Sequence, residues 1–229
     1  MARHGKVDFD DFAAEYTEIL DDHLRFFGEE SGYFAEVKVR TTRDLVCPAP
    51  QRILEYGCGT GMSLIWLAAL FPGAELSGCD ISEKSLRVAA TRIPGVDLFV
   101  SGKEGDMDRK PFDLVFVAGV FHHVAPAERG QVLADIRRRM ALGGNLVIFE
   151  HNPYNPVTRR LVSTCSFDRD AMLLPPRELR ALLAGAGLEV RSLRYTLFFP
   201  AFLRRLRCLE KSMGFLPLGG QYCIHATSG

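Results

Sequence analysis

From Arg52 onward, short apolar runs alternate with amphipathic stretches, and this alternation limits the fold more than any other feature of the sequence. Five segments have the length and apolar content of buried strands: RILEYG, AELSGCD, VDLFVSG, FDLVFVAG and NLVIFEH. Three intervening segments have helical periodicity or helix-start and helix-stop residues: GMSLIWLAALFPG, SEKSLRVAATRIPG and PAERGQVLADIRRRM. Because strands that alternate with helices of this length form βαβ units, we predict an α/β fold with a mostly parallel sheet.

Helices are predicted on both sides of this alternation. Residues 8–27 and 33–46 carry helical patterns, and residues 1–47 are expected to form a helical cover. Residues 152–175 make a long connection, which is often functional, so we expect this variable region to border a site. The predicted elements after it are a helix from PPRELR, the strand LEVRSLRYTLFF, the helix PAFLRRLRCLEKSM and a last strand near GQYCIHAT.

Composition favours one domain over residues 1–229, because 47% hydrophobic residues can bury a single large core. No apolar run of about 18 residues is present, so a cytoplasmic protein is expected. The six cysteines form no Cys-x-x-Cys pair, so we predict reduced thiols and no metal site. Residues 1–128 hold 13 Lys and Arg against 21 Asp and Glu, and residues 129–229 hold 15 against 7. This asymmetry indicates an anionic ligand or surface near the second half, or two complementary faces.

The stretch EYGCGTG places glycines at 57, 59 and 61, where the first strand turns into a helix. Glycine permits positive φ there and lets the backbone approach a ligand closely. A dinucleotide site needs Gly-x-Gly-x-x-Gly, but Met62 stands at the last position. Glu55 lies two residues before the turn, where it repels a pyrophosphate and attracts an ammonium. The turn therefore fits an amino acid better than a diphosphate, or it serves only as a tight turn.

Asp80 closes the second strand, 19 residues after Gly61. A carboxylate at such a strand end accepts hydrogen bonds from both hydroxyls of a ribose. Asp80 as a cap of the following helix is the alternative, since Asp is a favoured capping residue. A ribose joined to an amino acid without phosphate describes S-adenosylmethionine.

These motifs resemble those of class I S-adenosylmethionine-dependent methyltransferases. ILEYGCGTG is similar to their first motif, Asp80 to their second-strand acid, and FDLVFVAGVFHHV to the fourth strand of their small-molecule branch. The resemblance spans about residues 52–151. It implies a three-layer sandwich with a seven-stranded sheet whose last strand is antiparallel, S-adenosylmethionine as cofactor and S-adenosylhomocysteine as product.

The resemblance also implies roles for individual residues. Glu55 approaches the methionine ammonium, the glycines line the methionyl and ribose portions, and Ala118 offers backbone. The complete set of cofactor-binding residues is Glu55, Gly57, Gly59, Gly61, Asp80, Ile81, Gly102, Ala118 and Tyr16, the last from the amino-terminal helices. Lys103 departs from the pattern, because relatives carry an acid there to receive the adenine amino group; backbone near Gly102, or Asp106, substitutes for it.

Three histidines fall at the carboxyl ends of strands, where active sites of open α/β sheets lie. His122 and His123 follow the fourth strand, and His151 follows the fifth in FEHNPYNP. Histidine is the usual base near neutral pH. We predict His151, His123 and Tyr154 as catalytic candidates, with local packing of the paired histidines and loop architecture around His151 as the alternatives.

The predicted reaction is methyl transfer to a small molecule, such as a natural product, a saccharide or a lipid-linked precursor, at oxygen. A nucleic-acid methyltransferase is the disfavoured rival, because no appended basic domain is present. The second alternative is a protein of the same fold that binds a ligand without catalysis. Residues 195–218 interleave apolar runs with Arg204, Arg205, Arg207 and Lys211, typical of peripheral membrane contact or an anionic lipid-like substrate, or of a docking helix with solvated arginines.

Overall fold

The structure is a computed structural model of the 229-residue chain. It describes residues 10, 12, 15–25, 27–103 and 109–229; within 15–25, the side chains at positions 16, 17 and 23 are not described.

Seven strands form one sheet in the order β3-β2-β1-β4-β5-β7-β6. Strands β1 to β5 pair in parallel, and β7 runs antiparallel to both β5 and β6. The α/β class, the strand count and the antiparallel last strand are therefore confirmed. The strands are β1 Arg52–Tyr56, β2 Glu75–Asp80, β3 Asp97–Val100, β4 Phe112–Ala118, β5 Met140–His151, β6 Leu188–Thr196 and β7 Gln221–Ser228.

Eight α-helices are described: α1 Tyr16–Leu24, α2 Ser31–Leu45, α3 Met62–Leu70, α4 Glu83–Arg92, α5 Arg129–Arg139, α6 Pro156–Thr164, α7 Pro176–Gly185 and α8 Glu210–Met213. Sequence reasoning missed α6, which lies inside the connection 152–175. Its start is set by Pro156 in the first turn and by Asn155, whose Oδ1 accepts from the amides of Val157 and Thr158 at 2.9 and 3.1 Å. The segment PAFLRRLRCLEKSM is a 3-10 helix, Ala201–Leu209, followed by α8, rather than one α-helix.

Side chains of the central strands alternate between two cores, as the pleat of a strand requires. On β4, Val115 and Val117 pack on one face with Leu133 of α5. Leu114 and Phe116 pack on the other face with residues of α2, α3 and α4. Helices thus cover both faces, which gives the predicted three layers.

The parallel strands end at one edge of the sheet, which we call the carboxyl edge. Tyr56, Asp80, Ala118 and His151 are the last residues of β1, β2, β4 and β5. Both predicted motifs, the glycine turn and the histidines, therefore lie at the same edge. None of the described helices combines the length and apolarity needed to cross a membrane.

Candidate active site

The turn after β1 depends on glycine for two different reasons. Gly57 has φ +73°, and a Cβ there would lie 2.4 Å from Cγ2 of Val120, so packing excludes a side chain. Its amide and that of Cys58 donate to the carbonyl of Cys79 at 2.8 and 2.9 Å, which ties the turn to β2. Gly59, with φ +50°, has no heavy atom within 4 Å of an added Cβ, so the turn borders open space at this point.

Asp80 is built into this turn by both of its carboxylate oxygens. Oδ2 accepts from the amide of Gly59 at 2.8 Å, and Oδ1 accepts from the amide of Ser82 at 2.9 Å. The helix cap itself is Ser82, whose Oγ accepts from the amide of Ser85 at 3.0 Å, so capping of α4 does not explain Asp80. Burial raises the pKa of Asp80. The amide of Ile81 is a third backbone donor to this carboxylate. A carboxylate has about four acceptor positions, so one remains for a ligand.

Glu55 is the second carboxylate of the turn, and one of its oxygens lacks a partner. The side chain is buried, and its Oε2 has no hydrogen bond within the described part of the chain. Burial raises its pKa to about 8. Hydrogen bonds from Ser63 and the backbone of Leu64, and the charge of Lys38, lower the pKa but do not outweigh burial. A buried unsatisfied acceptor is costly, so this oxygen indicates a place for a donor.

Lys38 of α2 was missed by sequence reasoning. Burial lowers its pKa, while the charges of Glu55 and Glu150 act in the opposite direction, so the ammonium lies near enough to both carboxylates to interact with them. It forms no ion pair with another described residue. A signal was present, because Lys38 lies four residues from both Phe34 and Thr42, which are buried on the inner face of α2.

His122 is the centre of a buried cluster at the ends of β4 and β5. Its Nδ1 donates to Oε2 of Glu150 at 2.7 Å. Burial disfavours a charged imidazole, but the carboxylates of Glu150 and Asp168 outweigh burial and raise the pKa of His122 to about 9. His122 is therefore an imidazolium held between two carboxylates at neutral pH.

The second carboxylate, Asp168, comes from a 3-10 helix, Ser166–Asp168, in the connection 152–175. Its Oδ1 lies 3.6 Å from Nε2 of His122 and 3.3 Å from Nε2 of His123. Burial opposes ionisation, but the histidines hold the pKa of Asp168 well below its usual range. The amide of Met172 donates to the carbonyl of His122 at 2.7 Å, which fixes this part of the connection against the cluster.

His151 contacts this cluster through its ring alone. The imidazole of His151 lies edge-on to that of His122, with 4.8 Å between centroids. It has no side-chain hydrogen bond to another described residue. Burial, and next the charge of His122, lower its pKa to about 4, so His151 is neutral at pH 7. His122 and His151 thus have pKa values that are pushed apart, the arrangement that separates acid and base roles in active sites.

Tyr154 lies in different surroundings from the histidines. Its side chain is exposed and lines a shallow cavity of about 280 Å³ with Arg177, Arg180 and Tyr195. The structure therefore brings His123 and His151 together around His122, and it leaves Tyr154 outside that group. The two asparagines beside Tyr154 build the loop: Nδ2 of the buried Asn152 donates to the carbonyl of Gly219 at 2.7 Å.

The remaining predicted residues lie along the same edge. Gly102 follows β3 with φ +84°, and Ala118 ends β4. Lys103 pairs with Glu83 at the start of α4. The side chain of Tyr16 and all of Asp106 lie outside the described residues.

His122, His123 and Asp168 place donor atoms within 4.8 Å of one another, the spacing of a candidate metal site. Nε2 of each imidazole already faces the Asp168 carboxylate and Nδ1 of His122 is bound to Glu150, so carboxylates occupy both ring nitrogens of His122 that a cation would need. We therefore assign no metal to it.

Comparisons with known proteins decide the family. A family described as a methyltransferase domain matches residues 54–146. A demethylmenaquinone methyltransferase of Thermus thermophilus is 30% identical over 170 residues, which cover 62% of this chain and 76% of that protein. The chain belongs to the class I S-adenosylmethionine-dependent methyltransferases. The expected cofactor, S-adenosylmethionine, is the cofactor of this family.

Other matches to the methyltransferase are partial or structural. A trans-aconitate 2-methyltransferase of Methylobacterium nodulans is 32% identical over half of this chain and 45% of its own length. Across eight curated relatives, the matched share of their own length runs from 26% to 76%. The crystal structure of a SAM-dependent methyltransferase from Archaeoglobus fulgidus has a TM-score of 0.68 at 17% identity, covering 96% of this chain and all of that one, and shows the shared fold.

The residues at the glycine turn fit the cofactor of this methyltransferase. The unpartnered Oε2 of Glu55 suits an ammonium donor, and the open space at Gly59 leaves room for a ligand against the backbone. Asp80 retains an acceptor position for a hydroxyl. Ile81, next to it, is 68% exposed, an apolar surface that suits a flat ring.

Proposed function

We propose that this methyltransferase methylates an acidic oxygen, phenolic or enolic, of a small-molecule acceptor, with His151 as the base. The observation that carries the proposal is the neutral imidazole of His151, free of hydrogen bonds to described residues and in contact with the imidazolium of His122. It lies at the same sheet edge as the cofactor turn.

The cofactor is held by charge and shape. Glu55 would accept from the ammonium of its amino-acid part, and Lys38 would pair with the carboxylate of that part. Asp80 would accept from a ribose hydroxyl, the glycine turn would allow close approach, and Ile81 would pack on the adenine. When bound, S-adenosylmethionine supplies a sulfonium methyl group, and the S–C bond breaks as the acceptor oxygen forms its bond to that carbon. Orientation of the two reactants provides much of the acceleration.

His151 takes the hydroxyl proton of the acceptor as its oxygen becomes a nucleophile. A base with a pKa near 4 removes protons efficiently only from acidic groups, so the site favours phenols and enols over simple alcohols. His122 cannot take this role, because it already carries a proton between Glu150 and Asp168. His123, beside Asp168, is the second candidate for contact with the acceptor.

Two further features support a small acceptor. The relatives whose names include demethylmenaquinone and trans-aconitate are named for small molecules. Residues 152–175 contribute Asp168 to the histidine cluster, which supports their assignment to the acceptor pocket.

Lys38 supports the assignment of residues 1–47 as a cover over the cofactor, because the charge of Glu55 acts on its ammonium.

The cofactor assignment is tested by calorimetric titration with S-adenosylmethionine and with 5′-methylthioadenosine, which lacks the amino-acid part. We expect Glu55→Gln and Lys38→Met to weaken the affinity for S-adenosylmethionine about tenfold or more, since each removes one charge-assisted contact. The affinity for 5′-methylthioadenosine should not change. Asp80→Asn weakens both. Lys110→Met, which changes an exposed lysine just before β4 at the opposite sheet edge, is the matched control.

The acceptor assignment is tested by release of S-adenosylhomocysteine in the presence of phenolic, enolic and alcoholic acceptors, with a chelator as a control for metal. The proposal is supported if the wild type methylates phenols or enols and His151→Asn does not. Turnover that survives in His151→Asn rejects the base, and loss of activity on chelation rejects the metal-free site. Binding of cofactor without turnover of any acceptor favours a non-catalytic role.

A further inference from the structure

Large apolar side chains are concentrated on the surface beside the carboxyl edge. Of the twelve that are exposed among the described residues, eight lie in two segments, 154–157 and 202–218. We call them and four arginines nearby the rim face: Tyr154, Val157, Phe202, Leu203, Leu206, Leu209, Phe215, Leu218, Arg159, Arg160, Arg204 and Arg205. Phe202 and Phe215 are 76% and 75% exposed. Patches of this kind mark interaction sites.

The 3-10 helix Ala201–Leu209 is attached to the protein by polar contacts, and it leaves its apolar side chains outside. Nη1 of Arg207 lies 2.8 Å from the carboxylate of Glu29, and Lys211, just beyond the helix, lies 3.0 Å from that of Asp44. No residue of the helix is buried. A helix that only completes a core presents the opposite pattern, with its apolar side chains inward.

The two segments of the rim face are joined by hydrogen bonds. Nδ2 of Asn155 donates to the carbonyl of Leu218 at 2.7 Å, and Oγ1 of Thr158 donates to the carbonyl of Gly220 at 2.9 Å. Val157, between these two residues, is therefore next to Leu218. The start of α6 and the end of the segment 202–218 are therefore neighbours on the surface.

The charges on the rim face are positive and available. Arg159, Arg160, Arg204 and Arg205 are exposed, and none of them forms an ion pair with another described residue. Glu210, the acid of this region, is turned inward and accepts from the amides of Phe198 and Phe199 at 3.2 and 3.1 Å. Interleaved arginines and large apolar side chains are the composition of a surface that lies on an anionic bilayer.

We propose that the rim face docks on an anionic membrane surface, with Phe202 and Phe215 inserted among the lipids. Contact at this place brings the carboxyl edge to the bilayer, because the rim face follows the ends of β5 and β6, and an amphiphilic acceptor then reaches the site from the lipid. A second copy on a two-fold axis fits less well, since it sets the same arginines against each other. Membrane binding is independent of the proposed reaction and needs neither cofactor nor acceptor.

The test is sedimentation of the full chain with vesicles of phosphatidylcholine alone or mixed in equal parts with phosphatidylglycerol. We expect binding to the mixed vesicles only, weakened by salt. Phe202→Ser with Phe215→Ser lowers the partition coefficient about tenfold or more. Arg204→Gln with Arg205→Gln removes the preference for phosphatidylglycerol. Leu142→Ser is the matched control, because Leu142 is 87% exposed at the start of β5, away from the rim face.

Three outcomes overturn the proposal. The first is no sedimentation with mixed vesicles at low salt by a wild-type protein that still binds S-adenosylmethionine. The second is a fall in the partition coefficient of the Leu142→Ser control that equals the fall in the double serine variant, because general surface hydrophobicity would then explain the binding. The third is a wild-type dimer in size-exclusion chromatography that the double serine variant converts to a monomer, which assigns the face to a second copy.

Discussion

Nδ1 of His122 lies 2.7 Å from Oε2 of Glu150, and both side chains are buried. The other oxygen of Glu150 accepts from the amides of Val120 and Phe121 at 3.0 and 2.7 Å. One carboxylate on β5 therefore fixes both the imidazole and the backbone turn that follows β4. Since Val120 also packs against the glycine turn at Gly57, the histidine cluster and the cofactor turn share one support.

Removing the charge of Glu150 is expected to destabilise the protein strongly. Glu150→Gln leaves the buried imidazolium of His122 with a neutral partner at Nδ1 and with Asp168 as its remaining carboxylate, and breaking a buried pair costs about 3 kcal/mol. Urea unfolding at pH 6 measures the loss. Glu83→Gln is the control, because the Glu83–Lys103 pair is solvent-exposed and such pairs contribute less than about 1 kcal/mol.

The same variant has a predicted pH dependence. Because the folded protein raises the pKa of His122 from 6.5 to about 9, the stabilisation by the pair is complete below pH 6.5 and is lost as the pH rises to 9. The difference in unfolding free energy between wild type and Glu150→Gln should shrink over this range. A difference that stays constant between pH 6.5 and 9 contradicts the ion pair.

Alanine at Gly57 and at Gly59 should separate stability from ligand binding. Both positions have positive φ, which costs alanine about 1–2 kcal/mol. At Gly57 the new Cβ also meets Val120, so Gly57→Ala should lose clearly more stability than Gly59→Ala. At Gly59 the Cβ enters the open space, so Gly59→Ala should stay folded and bind S-adenosylmethionine weakly. Thermal unfolding with and without the cofactor measures both; equal unfolding temperatures for the two variants would contradict the packing argument.

The parts of the fold and site that sequence predicted are those set by short stretches of chain. The β1 strand, the glycine turn and Asp80 follow from residues within 30 positions of one another, and the αβ alternation fixed the parallel sheet. Their placement at one edge follows from parallel pairing alone.

The parts that sequence did not predict depend on contacts between distant segments. Asp168 reaches His122 from 46 positions away, and Lys38 interacts with Glu55 and Glu150 only because α2 packs against the sheet. The pKa separation of His122 and His151 likewise arises from burial and from carboxylates on other elements. The start of α6 was missed because residues 152–155 have loop composition up to the Asn155 cap.

Binding of the cofactor should release a proton from Glu55. Burial raises the pKa of Glu55 to about 8, so it is largely protonated at pH 7, and pairing with an ammonium requires its ionised form. Affinity for S-adenosylmethionine should therefore rise with pH below pH 8, by up to about tenfold per unit, until the ammonium of the cofactor itself begins to lose its proton. Calorimetry in buffers of different ionisation enthalpy counts the released protons.

Two comparisons make the Glu55 prediction specific. Glu55→Gln should abolish the proton release and flatten the pH dependence of affinity. 5′-Methylthioadenosine, which has no ammonium, should bind the wild type without releasing a proton. Proton release that persists in Glu55→Gln would assign the titration to another group of the site.

His151 should give a pH profile unlike that of an ordinary histidine base. Because burial and the charge of His122 lower its pKa to about 4, kcat at saturating cofactor should stay constant from pH 8 to 5. His151→Asn should lower kcat about 10²–10⁴-fold for a phenolic acceptor and leave the affinity for S-adenosylmethionine unchanged. His225→Asn is the control, since His225 pairs with Asn145 at 2.8 Å far along the sheet. A fall in kcat centred near pH 6.5 would mean that another imidazole accepts the proton. That midpoint is the pKa of an ordinary histidine, which the charge of a neighbouring His122 does not lower.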